Sequence, residues 1–170
     1  MGSWNLAEVE PGTTVFVDAS VFLYHFSGAS ADCSRFLERC ETGELRGRTS
    51  VLVLREVAHR LMMIEAVSSG LVSPGKVVQK LRRKPDLVRH LHIYQEQVAK
   101  IPLMGIRVEP VTLQLLLRSA ELRTEHGLLT NDSLVAAAAL EMEAEAPASG
   151  DQDFARLPEI RLFSPMDLAL

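Results

Sequence analysis

Thr13-Thr14-Val15-Phe16-Val17-Asp18-Ala19-Ser20-Val21-Phe22-Leu23 is the stretch that decides the fold. Its first five residues are β-branched or aromatic and follow Pro11-Gly12, the signature of a buried strand. The run stops at an acid. A short apolar helix, Val21 to Phe26, follows and is broken by Ser27-Gly28. Strand, acid and helix in that order open a parallel α/β unit, and the chain goes on alternating in the same way.

Cys33, Phe36, Leu37 and Cys40 fall at i, i+3, i+4 and i+7, one face of an amphipathic helix that stops near Gly43. Thr49–Leu54 (TSVLVL) reads as a second strand. It leads into a helix carrying Glu56, Val57, Leu61 and Ile64 and ending by Gly70. Ser73 and Pro74 read as the cap and first residue of the next helix, which Pro85 closes. A further helix is expected over Asp86 to Lys100, a short strand over Gly105–Glu109, and a helix from a Thr112 cap to His126 with Gly127 just past it. Leu128 to Asp132 then precede an Ala-rich helix, Ser133–Glu145. Glu145-Ala146-Pro147-Ala148 is poor strand material, although the alternation calls for a strand there. Ile160–Phe163 reads as an edge strand. The expected fold class is α/β, with a mainly parallel central sheet of 4–5 strands and helices on both faces. It is expected as one domain over 1–170, with its motif-bearing core at 13–163.

Composition supports a folded enzyme-sized domain and excludes several classes. The chain has 170 residues, 47% hydrophobic and 24% charged, too apolar for a disordered chain. Aromatics are only 5%, so the core must be built mainly from Leu, Val, Ala and Met. A net charge of −4 argues against a bulk electrostatic nucleic-acid binder, though not against a local basic patch. The two cysteines, Cys33 and Cys40, share a helix face and read as packed free thiols, and no CxxC pair suggests a zinc knuckle. No signal peptide and no membrane span is visible, so the expected compartment is the cytoplasm.

In open parallel sheets the chemistry lies at the carboxyl ends of the strands. Asp18 follows the first strand directly, Glu56 lies on the first turn of the helix after the second, Asp132 opens the Ala-rich helix, and Asp151 and Asp153 follow the fourth candidate strand. Taken singly, each has an ordinary explanation as a helix cap, first-turn acid, surface charge or turn residue. Taken together they place acids from four segments at element junctions. Carboxylates gathered at one point raise one another's pKa, and a divalent cation relieves the repulsion. Hard oxygen ligands suit Mg²⁺ or Mn²⁺.

These motifs resemble those of the PIN domain family. Val15 to Leu23 is similar to the family's opening strand and acid, and Leu52-Val53-Leu54-Arg55-Glu56-Val57 to its second motif. Leu128 to Ala138 is similar to the third, in which an Asp opens a helix of small residues. Ser149-Gly150-Asp151-Gln152-Asp153-Phe154 is similar to the fourth, with Ser149 where Thr is usual. The resemblance runs from Val15 to Phe154, and it implies a PIN-like three-layer fold and a metal-dependent ribonuclease, in small microbial members mostly a VapC-type toxin paired with an antitoxin protein. It implies that Asp18, Glu56, Asp132 and Asp151 bind one or two Mg²⁺ or Mn²⁺ ions, with Asp153 a further ligand or support. It also implies hydrolysis to a 3′-hydroxyl and a 5′-phosphate. Thr130, Asn131 and Ser133 are candidates to position water or phosphate, with helix capping as the plainer role, and Ser149 is a supporting polar group. A homodimer is the default assembly, with the apolar helices near Phe22, Phe26, Phe36 and Leu61 as candidate surfaces for self-association or antitoxin docking.

The charge is uneven along the chain. Lys76, Lys80, Arg82, Arg83, Lys84 and Arg89 are set against Asp86 alone between positions 76 and 92. Between 121 and 153, Arg123 stands alone among eight acids. A basic arm beside an acidic pocket suits RNA, the arm gripping phosphates and the pocket cutting, so Lys80, Arg82, Arg83, Lys84 and Arg89 are the candidate RNA contacts. Two rivals remain. A HAD-type phosphatase would need a second Asp two residues after Asp18, where Ser20 stands. A catalytically silent PIN-like module would bind RNA or protein through the same surfaces.

Overall fold

The structure is a computed structural model that describes residues 3–151, 154, 157 and 161–168. Strand β2 (Thr14–Val17) lies in the interior of the sheet, and Val15, Phe16 and Val17 are completely buried. A strand covered on both faces reads as a continuous apolar run, which is why this one was legible. Among the described residues the sheet has six strands, all parallel, in the order β1 (Trp4–Asn5), β6 (Phe163–Ser164), β5 (Ala146–Ala148), β2, β3 (Arg46–Ser50), β4 (Ile106–Glu109). The expected 4–5 strands become six because Trp4–Asn5, too short to show a pattern, pairs with β6. That pairing makes β1 the edge and puts Phe163–Ser164 inside the sheet. The Ile160 end of the expected last strand lies outside the described residues.

Helices cover both faces. They are α1 (Ala19–Phe26), α2 (Ala31–Glu41), α3 (Val51–Ser68), α4 (Val77–Arg83), α5 (Pro85–Val88), α6 (Ile93–Lys100), α7 (Leu113–His126) and α8 (Thr130–Glu141). The four periodic residues of α2, Cys33, Phe36, Leu37 and Cys40, are all buried, and Ser30 caps the helix through Cys33 N–H. Both thiols are free, and burial pushes them up to about 11 and about 12. Fully burying Phe16, Phe22 and Phe36 contributes about 1.5–3 kcal/mol each before entropy is counted.

Four local expectations are corrected. Only Thr49 and Ser50 of the TSVLVL run lie in a strand. The strand is the more polar Arg46–Ser50, and Ser50 caps a helix that begins at Val51, its Oγ accepting from Val53 N–H at 3.4 Å. A short apolar run fits a buried strand or a buried helix turn equally well, and the cap decides it. Gly47 lets β3 sit in this crowded position, since a Cβ there would strike Ile106. Ser73-Pro74 does not cap α4. The Ser73 hydroxyl and carbonyl instead accept from Lys80 Nζ, and Lys76 precedes the helix in a left-handed conformation (φ 51°). The helix expected over Asp86 to Lys100 is two helices, and the residues between, 89–92, turn over the buried Glu65. Its carboxylate accepts the N–H groups of His92, Ile93 and Tyr94 at 3.0, 3.1 and 2.9 Å. The Ala-rich helix starts at Thr130, three residues early, with Leu129 at the capping position.

Strand β5 forms despite Pro147. The ring gives no N–H, but Glu145 N–H donates to Thr14 C=O, Asp18 N–H to Ala148 C=O and Ser149 N–H to Phe163 C=O, at 2.9–3.0 Å. These flanking bonds hold the segment between β2 and β6. Helices α3 to α6 also enclose a satellite core of Ala66, Val72, Leu81 and Leu91, apart from the main one.

Candidate active site

Asp18 leaves the end of β2 in extended conformation at the start of α1, but its side chain caps nothing. It is 8% exposed, and a buried carboxylate needs partners. Two hydroxyls supply them. Ser149 Oγ donates to Asp18 Oδ2 at 2.6 Å, and Ser20 Oγ donates to the same oxygen at 3.1 Å. Each hydroxyl also accepts a backbone N–H from the loop after β5, Ser149 from Asp151 at 2.9 Å and Ser20 from Gly150 at 2.8 Å. The first and fourth acidic segments are thus laced together through the Asp151 backbone, and Asp151 itself is exposed. Ser20 was missed as a site residue because its only use in the sequence was to exclude a second Asp. Its position two residues past Asp18, on the first turn of α1, was the available signal.

Glu56 stands on the second turn of α3, half-buried. Burial raises its carboxyl above the usual value. The charges of Asp18 and Asp132 raise it too, against the opposing pull of Arg60 and Arg55. The Arg60 guanidinium lies 3.3 Å from Glu56 Oε1. Charges from two other segments therefore reach Glu56, one of them Asp132 on the first turn of α8. Among the described residues, no group of three or more His, Cys, Asp or Glu side chains is gathered tightly enough to grip an ion as it stands. The donor chemistry nevertheless fits a hard divalent cation, since these are oxygen donors under mutual repulsion. Asp153 lies outside the described residues.

Thr130 and Asn131 occupy the first two positions of α8 and are exposed. Ser133 is fully buried and does not face solvent. Its hydroxyl donates to Thr130 C=O at 3.0 Å and accepts from Arg123 Nη1 at 3.2 Å. Of the basic arm, Arg82, Arg83 and Lys84 are exposed, Lys80 is folded back on Ser73 and Pro74, and Arg89 lies 3.2 Å from Asp86.

The family model for the PIN domain matches residues 15–160. The chain belongs to the PIN domain family. Solved structures share the fold of this PIN domain. VapBC2 from Rickettsia felis, bound to a DNA fragment from its promoter, is 20% identical with a TM-score of 0.58, over 90% of this chain and 99% of that one. VapC20 of Mycobacterium tuberculosis, described as a Sarcin-Ricin loop cleaving toxin, is 21% identical with a TM-score of 0.56, over 86% and 98%. A toxin–antitoxin complex from Klebsiella pneumoniae is 18% identical with a TM-score of 0.54, over 92% and 99%. At these identities the likeness is one of fold. No curated protein sequence matches the chain. Among the described residues, no helix of this PIN domain is long and apolar enough to cross a membrane.

Proposed function

We propose that this PIN domain is a Mg²⁺- or Mn²⁺-dependent endoribonuclease, the toxin of a VapBC-type pair. The observation that carries the reading is the buried Asp18, tied through Ser149 to the backbone of Asp151 and close enough to Glu56 for its charge to raise that carboxyl. A protein keeps such repulsion where a cation is to be held. Asp18, Glu56, Asp132 and Asp151 would hold one or two ions, with Asp153 as a further ligand or support. When bound, a divalent ion neutralises charge on the scissile phosphate and acidifies the attacking water.

The chain's own residues do the rest. Ser149 and Ser20 fix the orientation of Asp18 by donating to one of its oxygens. Such support around a ligand sets its geometry and basicity. Thr130 and Asn131, exposed at the N-terminal turn of α8, can offer hydrogen bonds to an incoming phosphate, where the helix dipole favours an anion. Arg82, Arg83 and Lys84, with Lys80 and Arg89 nearby, grip the RNA backbone. The protein acts as a single domain and homodimer in the cytoplasm, held in check by an antitoxin protein. The relatives' descriptions as VapBC and toxin–antitoxin complexes support that partner.

The test is cleavage of end-labelled RNA by the purified chain with Mg²⁺, with Mn²⁺ and with chelator, beside Asp18→Asn. Metal-dependent cutting to 5′-phosphate ends, lost in Asp18→Asn, is the expected result. RNA or protein binding without cutting under any condition would replace it with the silent binding module.

A further inference from the structure

Helices α7 and α8 pack along one another and are joined through Gly127, Leu128 and Leu129. Arg123, on the last turn of α7, spans the pair. Its Nη1 donates to Ser119 Oγ at 3.0 Å on its own helix and to Ser133 Oγ at 3.2 Å on α8. Both serines are fully buried. Each commits its own proton to a carbonyl of its own helix, Ser119 to Leu116 at 2.7 Å and Ser133 to Thr130 at 3.0 Å. Each hydroxyl is therefore left facing Arg123 as an acceptor, one for each N–H of Nη1.

The arrangement runs against two ordinary preferences. A cation is placed at the N-terminal end of α8, the positive end of its dipole. That end also lacks a capping side chain, because Leu129 occupies the capping position. The first turn of α8 is thus held from outside, by a guanidinium on the preceding helix. That turn carries Asp132, next to Ser133 in sequence, and Asp132 is one of the charges felt by Glu56. Arg123 is also the one Lys or Arg in the acidic stretch from 121 to 153.

We infer that Arg123 is a positioning residue, which through Ser133 fixes the first turn of α8 and so the place of Asp132 opposite Asp18 and Glu56. The inference rests on the metal-dependent reading above. It is tested by Mn²⁺ titration calorimetry on the full chain without RNA, for wild type, Arg123→Ala, Arg123→Lys, Ser133→Ala and Ser119→Ala, with melts in chelator run in parallel.

Arg123→Ala is expected to weaken Mn²⁺ binding about tenfold, as losses around a metal ligand commonly do. Ser133→Ala should do the same, and the double variant should be no worse than either single, because both remove one contact. Arg123→Lys keeps the charge but not the two-serine reach and should recover only part of the affinity. Ser119→Ala, which leaves the Arg123–Ser133 bond in place, should stay within about twofold of wild type. Arg123→Ala and Ser133→Ala that melt earlier, yet bind Mn²⁺ as wild type does at a temperature where both are folded, would make Arg123 merely structural. If Arg123→Ala fails to fold, Ser133→Ala decides alone. A wild-type chain that binds no Mn²⁺ overturns the metal-dependent reading and this inference together, whereas equal binding by wild type and variants overturns only the latter.

Discussion

Ser149 donates its hydroxyl proton to Asp18 at 2.6 Å while accepting the Asp151 N–H at 2.9 Å, so one side chain sets both the orientation of the first acid and the path of the loop bearing the fourth. Ser149→Ala removes both links. Cleavage kcat should fall about 10- to 100-fold. Ser149→Thr, which keeps the hydroxyl, should stay near wild type. Single-turnover assays at saturating metal check this, and Ser149→Ala cutting at the wild-type rate would mean that neither link matters to the reaction.

Glu65 predicts an acid-sensitive stability. Burial raises its carboxyl, but the backbone N–H groups of Tyr94, His92 and Ile93 outweigh that, and the net shift is downward from 4.5. A group whose pKa is lower in the folded state stabilises above its unfolded value and loses that contribution as pH falls through the folded one. Glu65→Gln should therefore cost about 2–3 kcal/mol at neutral pH. The gap from wild type should shrink below about pH 4.5. Denaturant melts at pH 7 and at successively lower pH would show it, and a gap constant with pH would remove the charge from the explanation.

The exposed cations of the arm should act on binding alone. Arg82→Ala, Arg83→Ala and Lys84→Ala together remove three phosphate partners, so KM for RNA should rise and its salt dependence flatten, with kcat little changed. Loss of kcat at saturating RNA would place one of them in the cutting step.

Gly105 offers a contrast. It sits at φ 70° just before β4, and a Cβ there would meet the Cys40 carbonyl of α2. Gly105→Ala should cost about 2–4 kcal/mol of stability. Below its melting temperature it should leave kcat intact, because none of the proposed metal ligands lies on β4 or α2. A thermal melt beside a cleavage assay checks both halves.

That Asp18 follows a strand directly and that Asp132 lies on the first turn of a helix was legible, because residue order alone reveals both positions. Thr112 and Gly127 marked the ends of α7 correctly because cap and stop are local chemistry. What escaped was decided by distant partners. Val51 to Leu54 looked like a strand until the Ser50 cap claimed it for a helix. Pro147 spoke against β5 because nothing local shows that Thr14 and Phe163 supply its neighbours' hydrogen bonds. The break between α5 and α6 depends on Glu65, more than twenty residues upstream.

Helix α3 carries Glu56 and Glu65 nine residues apart, which at about 100° and about 1.5 Å per residue puts them on opposite sides and about 13 Å from one another along the axis. One carboxylate lies within reach of the Asp18 and Asp132 charges, and the other holds the backbone that opens α6. On the proposed reading, the cutting site and the basic arm are thus mounted on one helix. Exchanging the arm's cations to suit a different RNA would then leave Glu56 where it stands.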